Sequence, residues 1–142
     1  MKQPDFVENG TREDLVMHRL SVAREDLDKA YILLDLKKYR GANNRAYYAI
    51  YHTIDAVLAQ EGKAFKRHKD TLAYFNKNYV ATEIFPRMLG RKIVRAEEIR
   101  HASDYDTFYI ASKEVTLQQV DTAKQLLELA EQYLRNKKDV TE

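Results

Sequence analysis

Leu20, Ala23, Leu27, Ala30 and Leu34 advance along the chain in steps of three and four, and Val120, Ala123, Leu127, Ala130 and Leu134 repeat the pattern much later. On a helix with about 3.6 residues per turn, side chains at that spacing return to one face, so each run is the apolar stripe of an amphipathic helix. The 142 residues hold only four Gly and two Pro, too little punctuation for the many turns of an all-β fold. The fold class expected is all-α: an up-down bundle of four main helices plus a short one, with the two stripes packed antiparallel. A chain this long buries a sizeable core as a single domain, spanning 1–142 with its core over about 11–136 and frayed ends, the tail Lys137 to Glu142 included.

Local signals divide the chain. Thr11-Arg12-Glu13-Asp14 resembles a capping box and starts a first helix near Thr11, which should end near Lys38, before Gly41. The second helix, about Ala42 to Glu61, is apolar nearly all round (Tyr47, Ile50, Ile54, Val57, Leu58, with Ala49, Ala56 and Ala59 opposite), and Gly62 stops it. It reads as the central, most buried helix. A basic connection, Lys63 to Lys69, leads to a short helix over Asp70 to Tyr79 and a loop over Val80 to Phe85. Pro86 suits the first turn of a helix running to Ser103, because the N–H it lacks has no partner there anyway. Asp104 to Tyr109 reads as a turn, and a last helix covers about Ser112 to Asn136.

Composition excludes several classes. Without cysteine there is neither a disulfide framework nor a thiolate zinc site. No apolar run approaches the roughly 20 residues of a membrane span, and Met1 to Asp5 has no signal-peptide apolar core, so a soluble cytoplasmic protein is expected. A Gly-rich phosphate loop, a nucleophile elbow, a His-Glu-x-x-His pair and a Glu-x-x-His motif are all missing. The four histidines share no ligand spacing on one helix, so neither a metal nor a cofactor is expected.

Net charge is only +2, but its distribution is uneven. Acid gathers early, at Glu13, Asp14, Glu25, Asp26, Asp28 and Asp35, whereas the middle carries Lys63, Lys66, Arg67, His68, Lys69, Arg87, Arg91, Lys92, Arg95 and Arg100. Such a patch attracts RNA or nucleotide phosphate; a solvated helix face is the plainer reading. Lys66, Arg67, His68 and Lys69 are the candidate phosphate contacts.

The segment Arg45-Ala46-Tyr47-Tyr48-Ala49-Ile50-Tyr51-His52 stands out. Seven residues make almost two turns, so Arg45 and His52 leave nearly the same face of a helix that is otherwise apolar. Buried without partners they would cost kilocalories, so they either pair or face a cleft. Together with Arg67-His68-Lys69 leading to Phe75, and with Arg100-His101-Ala102-Ser103-Asp104-Tyr105-Asp106, this segment resembles the small prokaryotic branch of the HEPN superfamily, over about Arg12 to Leu134. The resemblance implies a HEPN-type helical bundle, commonly a homodimer, often paired with a minimal nucleotidyltransferase in a toxin–antitoxin system. It also implies that active members are metal-independent ribonucleases built on an Arg and a His separated by four to six residues. Here Arg100 is followed by Asp104 and Tyr105 where such a His would stand, whereas Arg45 and His52, with six residues between them, meet the spacing on an earlier helix.

Two functions follow. In a ribonuclease toxin, His52 acts as base or acid, Arg45 and Arg100 grip phosphate, Tyr105 orients it, and Asp104 pairs with Arg100 or holds an imidazole. In a non-catalytic module the same cations hold a nucleotide, an RNA or a nucleotidyltransferase partner without turnover.

Overall fold

A computed structural model of the chain describes residues 11–141; the expectation about Met1 to Asp5 lies outside them, as does Glu142. Five α helices are present among the described residues: α1 (Arg12–Asp35), α2 (Tyr39–Gln60), α3 (His68–Phe75), α4 (Met88–Tyr105) and α5 (Lys113–Thr141). A π-helical turn, Asn76–Val80, extends α3. The all-α bundle expected from the stripes is the fold that forms.

Local chemistry accounts for the boundaries. Thr11 caps α1 as a full capping box: its hydroxyl accepts from the Asp14 N–H at 3.0 Å, and the Asp14 carboxylate accepts from the Thr11 N–H at 3.1 Å. Gly62 ends the central helix with φ +80°, a left-handed conformation that glycine adopts without strain. Ser112 starts α5 by accepting from the Val115 N–H at 3.1 Å.

Several boundaries differ from expectation. The second helix begins at Tyr39, not Ala42, so Gly41 lies inside it. A Cβ there would come within 3.3 Å of the Leu33 side chain, so this glycine serves the close approach of α1 to α2 instead of breaking the chain. The short helix starts at His68 and loses α geometry at Asn76, before Tyr79. Pro86 stands just ahead of α4, and α4 continues through Asp104 to Tyr105, two residues past the expected end at Ser103. The last helix continues past Asn136 to Thr141, and Lys138 there pairs with Glu13 at 2.8 Å.

Ion pairs report the helix directions. Arg19 meets Asp55 at 2.9 Å and Arg45 meets Asp26 at 2.8 Å, so α2 descends as α1 rises. Arg24 meets Glu131 at 2.7 Å while Glu13, earlier on α1, meets Lys138, later on α5, so α5 also runs against α1, as the paired stripes require. The central α2 packs on all four other helices, and Tyr47, Ile50, Ile54, Val57 and Leu58 are fully buried in it. Phe75, Tyr79, Phe85 and Tyr133 close one end of the core as an aromatic cluster with ring centres 5.1–6.2 Å apart.

Candidate functional site

Helical spacing puts Arg45, Tyr48 and His52 on one face of α2. Three other elements bring partners to that face: α1 supplies Asp26, α4 supplies Arg100 and Asp104, and the start of α3 supplies His68. The Tyr48 ring is the common neighbour. The guanidinium carbons of Arg45 and Arg100 lie 5.1 and 5.9 Å from its centre, and the rings of His52 and His68 lie 6.1 and 5.7 Å from it. Four groups that can carry positive charge thus surround one half-buried aromatic ring.

Their polar partners form one connected path. Asp26, 4% exposed, accepts from Arg45 at 2.8 Å and lies 3.8 Å from His52 Nε2. Arg45 donates from Nε and Nη2 to Asn44 Oδ1, at 2.9 and 2.7 Å, and Asn44 Nδ2 donates to Asp104 at 2.9 Å. Asp104 lies 3.7 Å from Arg100 Nη1. The plainer reading of Arg45, an ion pair to α1, is therefore also true of it. Arg100 has a spare donor: its guanidinium lies 4.8 Å from the centre of the Tyr47 ring, and its buried Nε has no hydrogen-bond partner. The side chains of Arg45 and His52 keep 31% and 30% of their surface exposed, so the cluster is open to water.

His68 departs from the expected solvated connection. Its ring stacks on Tyr51 at 3.8 Å, and Nδ1 sits 3.0 Å from the Tyr47 hydroxyl. The neighbouring basic residues do not join it: exposed Arg67 is taken up by half-buried Asp70 at 3.0 Å, and Lys66 and Lys69 are exposed. Tyr105 is also outside the cluster. It is 68% exposed and its ring lies 4.9 Å from that of His101, one turn away on α4.

Burial pushes the His52 imidazole below its ordinary value despite the nearby Asp26 and Asp55 carboxylates. Burial also lowers His68, helped by the positive charge of Arg100. The Tyr47 phenol is pushed well above its usual range, first by burial and then by Glu97. Both imidazoles are thus kept neutral near pH 7. An imidazole with a lowered value in the folded state binds fewer protons there than when unfolded, so its contribution is complete above the ordinary value of 6.5 and lost as pH falls through it. The thermal midpoint is accordingly expected to drop between about pH 7 and pH 5. His52→Gln and His68→Gln should each flatten that slope in melts followed by circular dichroism; unchanged slopes would place the acid sensitivity elsewhere.

Arg40, Asn43, Asn44 and Asp26 were not singled out by sequence. Asn43 Nδ2 donates to Ser103 Oγ at 3.1 Å. Arg40 donates to the backbone carbonyls of Ser103, at 2.6 Å, of Asp106, at 3.1 Å, and of Tyr109. A helix leaves its last carbonyls unbonded; the Arg40 guanidinium takes the one at Ser103 and ties to it the carbonyls of Asp106 and Tyr109 in the segment that follows, securing the turn of α4 that carries Asp104. Among the described residues no group of three or more His, Asp or Glu side chains is arranged to hold a metal ion, and no helix is long and apolar enough to cross a membrane.

Residues 16–135 match the HEPN domain family. A UPF0332 protein of Thermotoga maritima is 35% identical over 94 residues, 66% of this chain and 71% of that protein. A protein of Methanocaldococcus jannaschii described as a candidate toxin is 34% identical over 88 residues, 62% of this chain and 66% of that protein. A UPF0332 protein of Pyrococcus horikoshii is 26% identical over 84 residues, 59% of this chain and 58% of that protein. The alignments thus span between 58% and 71% of these relatives' lengths.

Proposed function

The chain belongs to the HEPN domain family, and from that premise we propose that it is a toxin-type protein whose Tyr48-centred cluster binds an RNA phosphodiester and cleaves it without a metal ion. The observation that supports this most is the meeting of two guanidiniums and two neutral imidazoles within 6.1 Å of one ring, on a face that water reaches.

Each group has a task in that reaction. Neutral His52 takes the proton of the ribose 2′-OH as O2′ attacks phosphorus. Asp26, 3.8 Å away, stabilises the imidazolium that results. Arg45 and Arg100 bear the charge growing on the phosphoryl oxygens through the terminal nitrogens of their guanidiniums. The raised Tyr47 phenol stays protonated and donates to His68 Nδ1, which fixes the ring proton on Nε2. Solvent water protonates the departing O5′ as the P–O5′ bond breaks, the hydroxide left behind takes the proton held by the His52 imidazolium, and the His68 Nε2–H donates a hydrogen bond to a phosphoryl oxygen. The products are a 2′,3′-cyclic phosphate and a free 5′-hydroxyl. Asp104 positions Arg100, and the exposed Tyr105 orients the flanking nucleotide. His68 is the one phosphate contact of the basic connection that enters the reaction; Lys66, Arg67 and Lys69 attract the strand from outside.

The test is incubation of the purified chain with single-stranded RNA in EDTA. Cleavage with cyclic-phosphate ends is expected, and an inert wild type overturns the enzymatic reading. A second reading, a HEPN module that binds RNA, nucleotide or a nucleotidyltransferase partner without turnover, draws on the prior engagement of Arg45 by Asp26 and Asn44. It predicts calorimetric binding with no product. In either reading we take the chain to act as one domain, as a homodimer in the cytoplasm, with a minimal nucleotidyltransferase as its antitoxin.

A further inference from the structure

A second basic surface lies on α4, away from the cluster. Arg87, Arg91 and Arg95 follow one another at four-residue intervals, all exposed, and with Lys92 they line a groove of about 780 Å³ between α4 and α5. The groove is open because α4 leans on α2 far more than on α5. Its opposite wall presents Gln118, Gln119 and Thr122, with Asp121 its single carboxylate. Within the described residues Arg91, Lys92 and Arg95 take part in no ion pair, and Arg87 meets only Glu83, at 3.8 Å. Among the described residues these three charges have no ion-pair partner.

We infer that this groove binds the sugar-phosphate backbone of an RNA strand, several nucleotides from the bond the cluster cuts. The inference rests on the RNA-directed reading above. An arginine every fourth residue repeats every ~6 Å along the helix, a spacing close to that of successive phosphates in a single strand. Side-chain amides and a hydroxyl beside the guanidiniums suit a hydrated backbone with hydroxyls of its own. A protein partner would instead call for aromatic and apolar anchors, and Met88 is the one apolar side chain lining the groove. Five residues on a helix turn through about 140° net, so Arg95 and Arg100 lie on different sides of α4. A strand held in the groove must therefore pass around that helix to reach the cluster, and a dinucleotide reaches only one of the two sites.

The decisive measurement is the salt dependence of binding for a labelled 2′-O-methyl oligouridylate, which cannot be cleaved, to the full chain and to Arg91→Gln/Arg95→Gln. Removing two phosphate contacts should weaken binding roughly tenfold and lower the slope of log affinity against log salt by about 1.4. Arg91→Lys/Arg95→Lys should keep the slope. Cleavage of the dinucleotide UpA should be the same in all three proteins. Equal affinity and slope for wild type and the Gln variant would overturn the inference, as would an acidic protein being the true occupant, which leaves RNA binding untouched. A wild type that fails to bind the oligonucleotide overturns it too. Groove-dependent binding without UpA cleavage would leave the groove standing and remove the proposed nuclease.

Discussion

His52→Ala is expected to reduce RNA cleavage by about 10²–10⁴-fold, the range associated with losing a positioned general base, while leaving the helical circular dichroism unchanged. The fold should tolerate it because His52 is half-buried at the cluster's edge and its carboxylate neighbour, Asp26, keeps Arg45 at 2.8 Å. The pH profile separates a chemical role from a packing one. Burial lowers the His52 value from 6.5, so the acid limb of the wild-type rate should lie below pH 6.5. Were His52 only a filler, His52→Gln would restore cleavage. Activity in His52→Ala within a fewfold of wild type would remove it as the base and leave His68 as the remaining imidazole of the cluster.

The second large effect is on stability. Arg40→Ala should cost about 3 kcal/mol, because hydrogen bonds to a charged group contribute about 1.5–3 kcal/mol each and the Ser103 carbonyl at the end of α4 would lose its donor. For a chain of this size that corresponds to roughly a 10 °C fall in Tm. Arg40→Lys should recover little of it, because one ammonium cannot span the carbonyls of Ser103, Asp106 and Tyr109 that the planar guanidinium reaches. Thermal melts of both variants provide the check, and a loss below about 0.5 kcal/mol, the scale of an ordinary surface change, would show that the α4 end holds itself.

The parts of the fold readable from sequence were those set by neighbours in sequence. The stripes of α1 and α5, the Thr11–Asp14 box and the left-handed stop at Gly62 all depend on side chains within a turn or two of one another. Gly41 misled because a glycine that breaks a helix and one that lets two helices touch look alike until Leu33 is in place. The cluster divides the same way. Arg45 and His52 were visible as two ionisable groups on one face of an apolar helix. Asp26 left a trace that went unused: it falls beside Leu27 on the buried stripe of α1, where a carboxylate is costly unless something is paired with it. Asn44 and Arg40 left none, since their importance comes from Asp104 and from the carbonyls of Ser103, Asp106 and Tyr109, sixty or more positions away in the linear order. His68 looked solvated because nothing nearby in sequence announces the stack on Tyr51.

The polar path from Asp26 through Arg45, Asn44 and Asp104 to Arg100 draws on three helices, and the last of them is synthesised late. A polypeptide still emerging from the ribosome therefore holds Arg45, His52 and His68 before it has Arg100, and a product ending before α4 lacks both the second guanidinium and the carboxylate beside it.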